Sequence, residues 1–391
     1  MSPRAYSPLP WDASLDRYEQ QAEMLLAAHA AGNAEALRLR HQSLPRFLDD
    51  TVKWLPRPIT QDEIRDTALD MDDARLAVAR LYSFLDWDSL AALVKEVRTA
   101  RSPTRTFERA ADAVITGKAI ELLEMLREFP ELVRQRSTRI TCHDPPVHEA
   151  TLVHYLGANG VEGYRQQSPA NAVEIGRMLL TAGAEADALA GMYGSRCTTL
   201  SMLVSSTPPD NAGVQVPLTH LLIDFGANVE GAGTGDWRSP LMTALVFGFR
   251  AAAEALVARG ARVDDIVKAA GLARVAEVAE YLPTASGEAR HRALAMATLG
   301  GNIDVTKLLL AAGEDPSRQN PAGYHAHGTP LHHAASKGNL ALVELLIAHG
   351  ARTDIEDSLW HATPLGWAQH EGKQEVVAYL ERCDPPAAAG A

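Results

Sequence analysis

The chain has 391 residues, of which 46% are hydrophobic, 6% aromatic and 22% charged, and its formal net charge is -12. This apolar content is too high for an intrinsically disordered chain, and no uncharged apolar run reaches the length of about 18 residues that a membrane-spanning helix needs. The acidic balance argues against a protein that binds nucleic acid by neutralising phosphates. The composition therefore predicts a folded, soluble protein with no membrane or nucleic-acid partner.

The N-terminal segment, residues 1–105, carries helical patterns. Residues 14–31 place their apolar side chains on one stripe of a helix. A second helix is predicted over 72–82, and a third begins at Asp86, whose carboxylate can cap the first turn. The segment is therefore predicted to form an α-helical module.

Residues 106–382 are organised by a repeated glycine spacing. Three pairs of glycines are each 12 residues apart: Gly248 with Gly260, Gly301 with Gly313, and Gly338 with Gly350. Glycine adopts the left-handed conformation that ends helices at little cost, so each pair marks the two helix ends of one helix-turn-helix unit. About eight such units fit into this range, and each would bury its apolar face against its neighbours.

The clearest unit reads Gly-Thr-Pro-Leu-His-His-Ala-Ala over residues 328–335. Thr329 is suited to cap the first helix, and Pro330 to occupy its first turn, where no amide hydrogen is needed. The segment resembles the ankyrin repeat, whose Thr-Pro-Leu-His-x-Ala signature it matches in full. In the repeats, the histidine of this signature, here His332 and at the related position His154, hydrogen-bonds neighbouring backbone.

The resemblance implies an all-α fold, an ankyrin-repeat solenoid of helix-turn-helix units with short hairpin fingers, preceded by the α-helical module. Residues 383–391 are predicted to be a short disordered tail. The segment 73–84 resembles the helical module that precedes the repeats in many bacterial ankyrin proteins. That resemblance implies the fold and no activity, and in ankyrin proteins generally the finger tips commonly contact partners.

Two insertions interrupt the repeat. Gly160 and Gly183 are 23 residues apart, an excess of 11, which places an insertion near 161–170. Thr207 and Gly226 are 19 apart, an excess of 7, which places a second near 207–213. Both fall in the turn between the helices of their unit, so they should lie side by side, and insertions of this kind often serve for binding.

The polar and aromatic residues around these insertions are the candidate functional residues. Those predicted to bind a ligand or partner are Tyr155, Asn159, Glu162, Tyr164, Arg165, Gln166, Tyr193, Gln215 and His220. In one interpretation, Glu162 and Arg165 pair with each other or with the backbone to hold an irregular loop. In the other they line a pocket, where Arg165 holds a carboxylate or phosphate and Glu162 exchanges protons with His154. The catalytic candidates would then be His154, Glu162, Arg165 and Tyr193.

Neither a metal nor a cofactor is expected. The 14 histidines cluster near 143–148 and 325–333, but neither cluster has the paired spacing of a tetrahedral zinc site. The chain also lacks the phosphate-binding loop and the dinucleotide fingerprint.

The compartment is predicted to be cytoplasmic. The three cysteines, Cys142, Cys197 and Cys383, are far apart and odd in number, which argues for a reducing environment without disulfides. Charged residues interrupt the first 31 positions, where a secretory segment would be apolar.

Two functions follow from these observations. The leading hypothesis is an ankyrin-repeat interaction protein that binds a protein partner through its concave surface and has no catalysis of its own. The alternative is an ankyrin scaffold with an acquired small-molecule or catalytic site beneath the two insertions, with acid–base chemistry such as that of a cyclase, isomerase or lyase.

Overall fold

The computed structural model describes residues 8–158, 161–235 and 238–383. The fold is mostly helical, as predicted. Contacts divide the chain into two compact units, Met1–Arg238 and Ser239–Ala391. In the described part of the chain, no helix combines the length and apolarity needed to cross a membrane.

The first unit begins with five helices: α1 (Leu15–Ala30), α2 (Ala34–Ser43), α3 (Gln61–Asp66), α4 (Met71–Leu81) and α5 (Trp87–Arg98). They enclose a core to which α1 contributes Tyr18, Ala22 and Leu25. Asp86 caps α5 as predicted, since its carboxylate accepts a hydrogen bond of 2.8 Å from the Ser89 N–H. The three predicted helices of this segment are therefore confirmed as α1, α4 and α5.

The rest of the first unit contains shorter and less regular elements. Its helices are α6 (Pro103–Thr116), α7 (Ala119–Glu128), α8 (Ala172–Thr181), α9 (Thr199–Leu203), α10 (Thr207–Asn211) and α11 (Gln215–Asp224). Strands β1 (Leu189–Met192) and β2 (Ser195–Thr198) form an antiparallel hairpin in which Leu189 pairs with Thr198. Short 3₁₀ segments lie at Pro130–Val133, Leu152–Gly157 and Gly163–Arg165, and one more, Pro45–Phe47, lies between α2 and α3.

Over its described residues, 239–383, the second unit forms five successive helix pairs. They are α12 (Pro240–Val246) with α13 (Arg250–Ala258), α14 (Ile266–Gly271) with α15 (Val275–Tyr281), α16 (Gly287–Leu299) with α17 (Ile303–Ala311), α18 (Pro330–Ser336) with α19 (Leu340–Ala348), and α20 (Pro364–His370) with α21 (Gln374–Cys383). Cys383 therefore ends a helix, and the remainder of the predicted tail lies outside the described residues.

Left-handed glycines follow the first helix of four of the five pairs, as the spacing predicts, and Ala273, with φ 56°, takes that place after α14. Gly338 follows α18 with φ 71°. Gly117 ends α6 with φ 79°, and a Cβ added there would lie 2.6 Å from Asn171 Oδ1. The Asn171 amide in turn donates a 3.0 Å hydrogen bond to the Gly117 carbonyl. At Gly117 the absence of a side chain thus serves both the turn and the approach of the next pair.

The two insertions take different forms. The first joins the 3₁₀ segment Leu152–Gly157 to α8 and folds around the 3₁₀ turn Gly163–Arg165. The helix predicted before it is 3₁₀ rather than α, and its backbone approaches α9 so closely that a Cβ on Gly157 would lie 3.1 Å from the Leu203 nitrogen. The second insertion forms the extra helix α10 between α9 and α11.

Candidate functional site

The predicted pair Glu162 and Arg165 lies inside the protein. The two residues flank the 3₁₀ turn of the first insertion, and Arg165 Nη1 is 3.0 Å from Glu162 Oε2. Their relative exposures are 0% and 3%. The geometry is that of the first interpretation, in which the two side chains pair with each other.

Two residues that the sequence reasoning missed complete a four-membered cluster. Glu108 from α6 accepts hydrogen bonds from Arg139 Nη2 at 2.7 Å and from Arg165 Nη2 at 2.5 Å. Arg139 Nε also lies 3.5 Å from Glu162 Oε2. We call Glu108, Arg139, Glu162 and Arg165 the buried ion network; it holds two positive and two negative charges and is balanced.

Only one of the missed residues left a signal in the sequence. Glu108 occupies a core-facing position of α6, where Phe107 and Ala111 are also buried, and a charge at such a position needs a partner. Arg139 lies in an irregular segment between α7 and the 3₁₀ segment Leu152–Gly157, where no periodicity indicates which side chains face inward.

Two further side chains contact the Glu162 carboxylate. The Tyr155 hydroxyl donates a hydrogen bond of 2.6 Å to Oε1, and His148 Nε2 lies 3.0 Å from the same oxygen. His148 Nδ1 accepts a hydrogen bond from the Ala150 N–H, so the hydrogen of the neutral ring must be on Nε2, which faces the carboxylate. The carboxylate is therefore enclosed by donors.

The protonation of this cluster is fixed by its charges. Burial acts to raise the pKa of Glu162, but the Arg139 and Arg165 guanidinium groups outweigh it and hold the pKa well below its usual range. Burial, with the Glu162 charge beside it, raises the pKa of Tyr155 well above its usual range. A general acid or base works best with a pKa near the operating pH, and both groups are displaced from it.

An aromatic layer joins the buried ion network to the N-terminal helices. The Tyr164 ring centre is 5.3 Å from the Arg165 guanidinium and 5.2 Å from the Tyr82 ring centre, and Tyr82 in turn lies 4.9 Å from Tyr18 of α1. The Gly163 N–H also donates to Ser83 Oγ at 3.1 Å. The first insertion thus fastens the N-terminal helices to the pairs that follow.

The remaining predicted site residues make other contacts. Gln215 is buried, and its amide donates hydrogen bonds to the carbonyls of Leu203 and Ser206, 3.0 and 3.2 Å away, which holds the second insertion. Tyr193 is 51% exposed, with its ring 6.0 Å from that of His143.

Of the three remaining predicted residues, Gln166 and His220 are half-buried, and Asn159 lies outside the described residues. The structure therefore brings together Tyr155, Glu162, Tyr164 and Arg165 from the predicted set.

The two signature histidines are structural. His332 Nδ1 accepts from the Thr329 N–H at 3.1 Å, and its Nε2–H donates to the Ala362 carbonyl of the following pair at 3.1 Å. His154 is fully buried, accepts from the Thr151 N–H at 3.1 Å in the same way, and has its pKa lowered by burial to about 4. The predicted backbone role of this histidine is confirmed.

A second, open site lies in the second unit. A cavity of about 670 Å³ is lined by the rings of His325, His327, His333, Trp360 and Trp367, and we call it the C-terminal cavity. The histidine cluster was noted in the sequence but lacks the spacing of a zinc site, and neither tryptophan was among the predicted site residues.

The rings of the C-terminal cavity are packed against one another. His327 stacks on Trp367 with ring centres 5.5 Å apart and an interplanar angle of 30°, and it meets Trp360 edge-on at 5.2 Å. Trp360 and Trp367 are 5.7 Å apart, and Trp360 is 52% exposed. Burial lowers the pKa of His333 to about 3, so this ring is neutral at neutral pH.

Helix pairs with left-handed residues, mostly glycine, in their turns, and a signature histidine, His332, that hydrogen-bonds to the following pair define a protein built of stacked helical repeats. The profile described as "Ankyrin repeats (3 copies)" matches residues 288–387. The chain is 33% identical over 122 residues to human cyclin-dependent kinase inhibitor 2A, covering 30% of this chain and 75% of that one. The chain belongs to the ankyrin-repeat family.

Two other proteins are similar to this chain. The Monodelphis domestica cyclin-dependent kinase inhibitor 2A is 38% identical over 80 residues, 20% of this chain and 44% of that protein, so the match spans less than half of this relative. A solved structure of the human ASB11 ankyrin repeat domain aligns with 73% of this chain and 100% of its own, at 20% identity and a TM-score of 0.35.

Proposed function

We propose that the chain binds a protein partner on the concave surface formed by its fingers and inner helices, and that it catalyses no reaction of its own. The finger is the loop before each helix pair, and the inner helix is the first helix of the pair. Ankyrin repeats are typical protein–protein interaction modules. The partner's identity is not part of the proposal.

The C-terminal cavity is the observation that carries this proposal. His327 and Trp360 come from fingers, and His333 and Trp367 come from the inner helices α18 and α20. Half-exposed tryptophan beside partly buried rings is the composition that marks the energetic centres of protein interfaces. An aromatic cavity at the fingers is what a partner-binding surface requires.

The alternative of an acquired ligand or catalytic site beneath the insertions has less support. The polar atoms that would contact a ligand there contact one another: Arg165 pairs with Glu162 and Glu108, and Tyr155 donates to Glu162. We propose instead that these residues stabilise the junction between an N-terminal module of residues 1–105 and the repeats of 106–382.

Site-directed photo-cross-linking tests the proposed surface. p-Benzoylphenylalanine is placed at Trp360 in a finger and, as the matched control, at Glu344, which is exposed on the outer helix α19. We expect light-dependent adducts to one defined protein from position 360 only, and saturable binding of that protein, once purified, to the full chain. Adducts of equal yield and identity from both positions would contradict the proposal, because they would show that the finger surface is not selective.

A further inference from the structure

Aromatic rings line the C-terminal cavity, and Trp360 is 52% exposed. Aromatic rings are negative over their faces, and a cation within about 6 Å of a ring centre is attracted to them, most strongly to indole. Trp360, Trp367 and His327 form one cluster with ring centres 5.2 to 5.7 Å apart, so a group that binds on the exposed side of Trp360 lies next to the other two rings.

A buried carboxylate lies behind one of these indoles. Asp357 is 1% exposed, and its Oδ2 accepts the Trp367 indole N–H at 2.9 Å. Its Oδ1 accepts the backbone N–H groups of Leu359 and Trp360 at 2.8 and 2.7 Å. Burial acts to raise the pKa of Asp357, but these donors outweigh it and the pKa is lowered, so the group is ionised. A negative charge on the N–H side of the indole makes the ring face more attractive to a cation.

The other groups around the cavity favour a positive ligand as well. Burial lowers the pKa values of His325, His327 and His333, so the imidazoles offer uncharged rings at neutral pH. Glu371, exposed at the end of α20, adds a carboxylate to the lining. Lys337 contributes to the lowered pKa of His325, and its ammonium group donates to the Leu299 carbonyl; its positive charge opposes a cationic ligand, so the attraction must come from the rings and the carboxylates.

We propose that the C-terminal cavity binds the ammonium group of a lysine side chain, free or methylated, presented by a protein partner. This inference rests on the proposed function and names the chemistry that the partner must carry. The cavity volume of about 670 Å³ falls within the roughly 300–1,000 Å³ of ligand sites and accommodates the lysine together with flanking peptide. The overall charge of -12 steers a basic segment toward the chain.

Calorimetric titration of the full chain with short peptides tests the proposal. The probes are the N-acetylated, C-amidated peptide Gly-Gly-Lys-Gly-Gly, its trimethyllysine analogue, and its norleucine analogue, which keeps the aliphatic stem and, with the N-terminus acetylated, carries no ammonium group. We expect both ammonium peptides to bind about 10- to 30-fold more tightly than the norleucine peptide. Equal binding of all three would show a merely apolar groove and overturn the proposal.

Two tryptophan variants locate the binding. Trp360→Ala removes a half-exposed ring, whereas Trp54→Ala removes one that is 65% exposed in the first unit and serves as the matched control. We expect Trp360→Ala to weaken the ammonium peptides about 10-fold or more, Trp360→Phe to weaken them less, and Trp54→Ala to leave them unchanged. Loss of binding in Trp54→Ala equal to that in Trp360→Ala would overturn the assignment.

Asp357→Asn tests the positioning residue. Asparagine can still accept the Trp367 indole N–H through its amide oxygen, but its amide nitrogen then faces the N–H groups of Leu359 and Trp360, so the norleucine peptide serves to separate loss of the charge from displacement of the rings. We expect several-fold weaker binding of the ammonium peptides and unchanged binding of the norleucine peptide. An equal loss for both would indicate that Asp357 only supports the fold.

The results also separate this inference from the proposed function. If the photo-cross-linker at position 360 captures a defined protein while no ammonium peptide binds at millimolar concentration, the cation site is overturned and the scaffold function stands. If the ammonium peptides bind and the cross-linker captures nothing selectively, the scaffold function fails and the cavity is a cation site of another kind.

Discussion

Replacing Glu162 by glutamine would remove one of the two negative charges of the buried ion network. The carboxylate lies 3.0 Å from Arg165 Nη1 and 3.5 Å from Arg139 Nε, and it accepts the Tyr155 hydroxyl at 2.6 Å. Glutamine keeps the size, but its amide nitrogen is a donor placed among donors, and Glu108 alone would have to balance two guanidinium groups.

The magnitude follows from the burial of these groups. All four members of the network are 3% exposed or less, so solvent does not screen the uncompensated charge. Breaking a buried pair by removing one partner costs about 3–5 kcal/mol, a large part of the stability of a domain. We therefore expect Glu162→Gln to lower the free energy of unfolding of the first unit by about 3–5 kcal/mol.

Urea unfolding of the full chain, followed by circular dichroism and by hydrogen exchange of residues 103–181, measures the effect. The matched control is Asp354→Asn, which breaks an exposed pair with Arg352 at 2.8 Å and should leave the unfolding midpoint unchanged. Glu162→Gln combined with Arg165→Gln restores charge balance with Glu108 and Arg139, so the double variant should be more stable than the sum of the single losses predicts. A loss below about 1 kcal/mol for Glu162→Gln, or strict additivity, would refute the reasoning.

Three other predictions concern local features. Burial lowers the pKa of His154 to about 4, against about 6.5 in the unfolded chain, so its contribution of roughly 3 kcal/mol to the free energy of unfolding is complete above pH 6.5 and is lost as the pH falls toward 4. Urea unfolding at pH 7 and at pH 5 should show this loss, and His154→Asn should reduce the pH dependence. Gly117→Ala forces a side chain into a φ of 79° and against Asn171, so its unfolding midpoint should fall further than that of Gly183→Ala, where φ is 98° but the space is open; equal losses would show that the contact with Asn171 is unimportant. Gln215→Leu removes the side-chain donor of the Ser206 carbonyl, whereas the Leu203 carbonyl keeps the Ser206 N–H at 3.2 Å as a donor, so the variant should cost about 1 kcal/mol or somewhat more in thermal or urea unfolding, unless the second insertion rearranges to pair the Ser206 carbonyl.

The elements that the sequence predicted correctly are those with local causes. The cap at Asp86 depends on a residue three positions later, and the turn at Gly338 depends on the backbone freedom of one residue. The pairing of Glu162 with Arg165 is also local, since one 3₁₀ turn separates them. These features were therefore readable without knowledge of the fold.

Only the tertiary structure could show what completes each site. Glu108 is 54 positions from Glu162 in the chain, and Arg139 lies in a segment without periodicity, so no sequence pattern indicated that these residues are in contact. The structure brings them together because α6 and the first insertion bury charged groups, which must pair with one another. In the C-terminal cavity, likewise, His327 and Trp367 are 40 positions apart and stack because successive repeats place a finger beside the next inner helix. The sequence by itself determined the repeat, its caps and its turns, which arise from contacts within a few residues. The packing of segments that are distant in the sequence decided which charges are paired in the interior and which rings are exposed, because burial and cavity shape are properties of the folded chain.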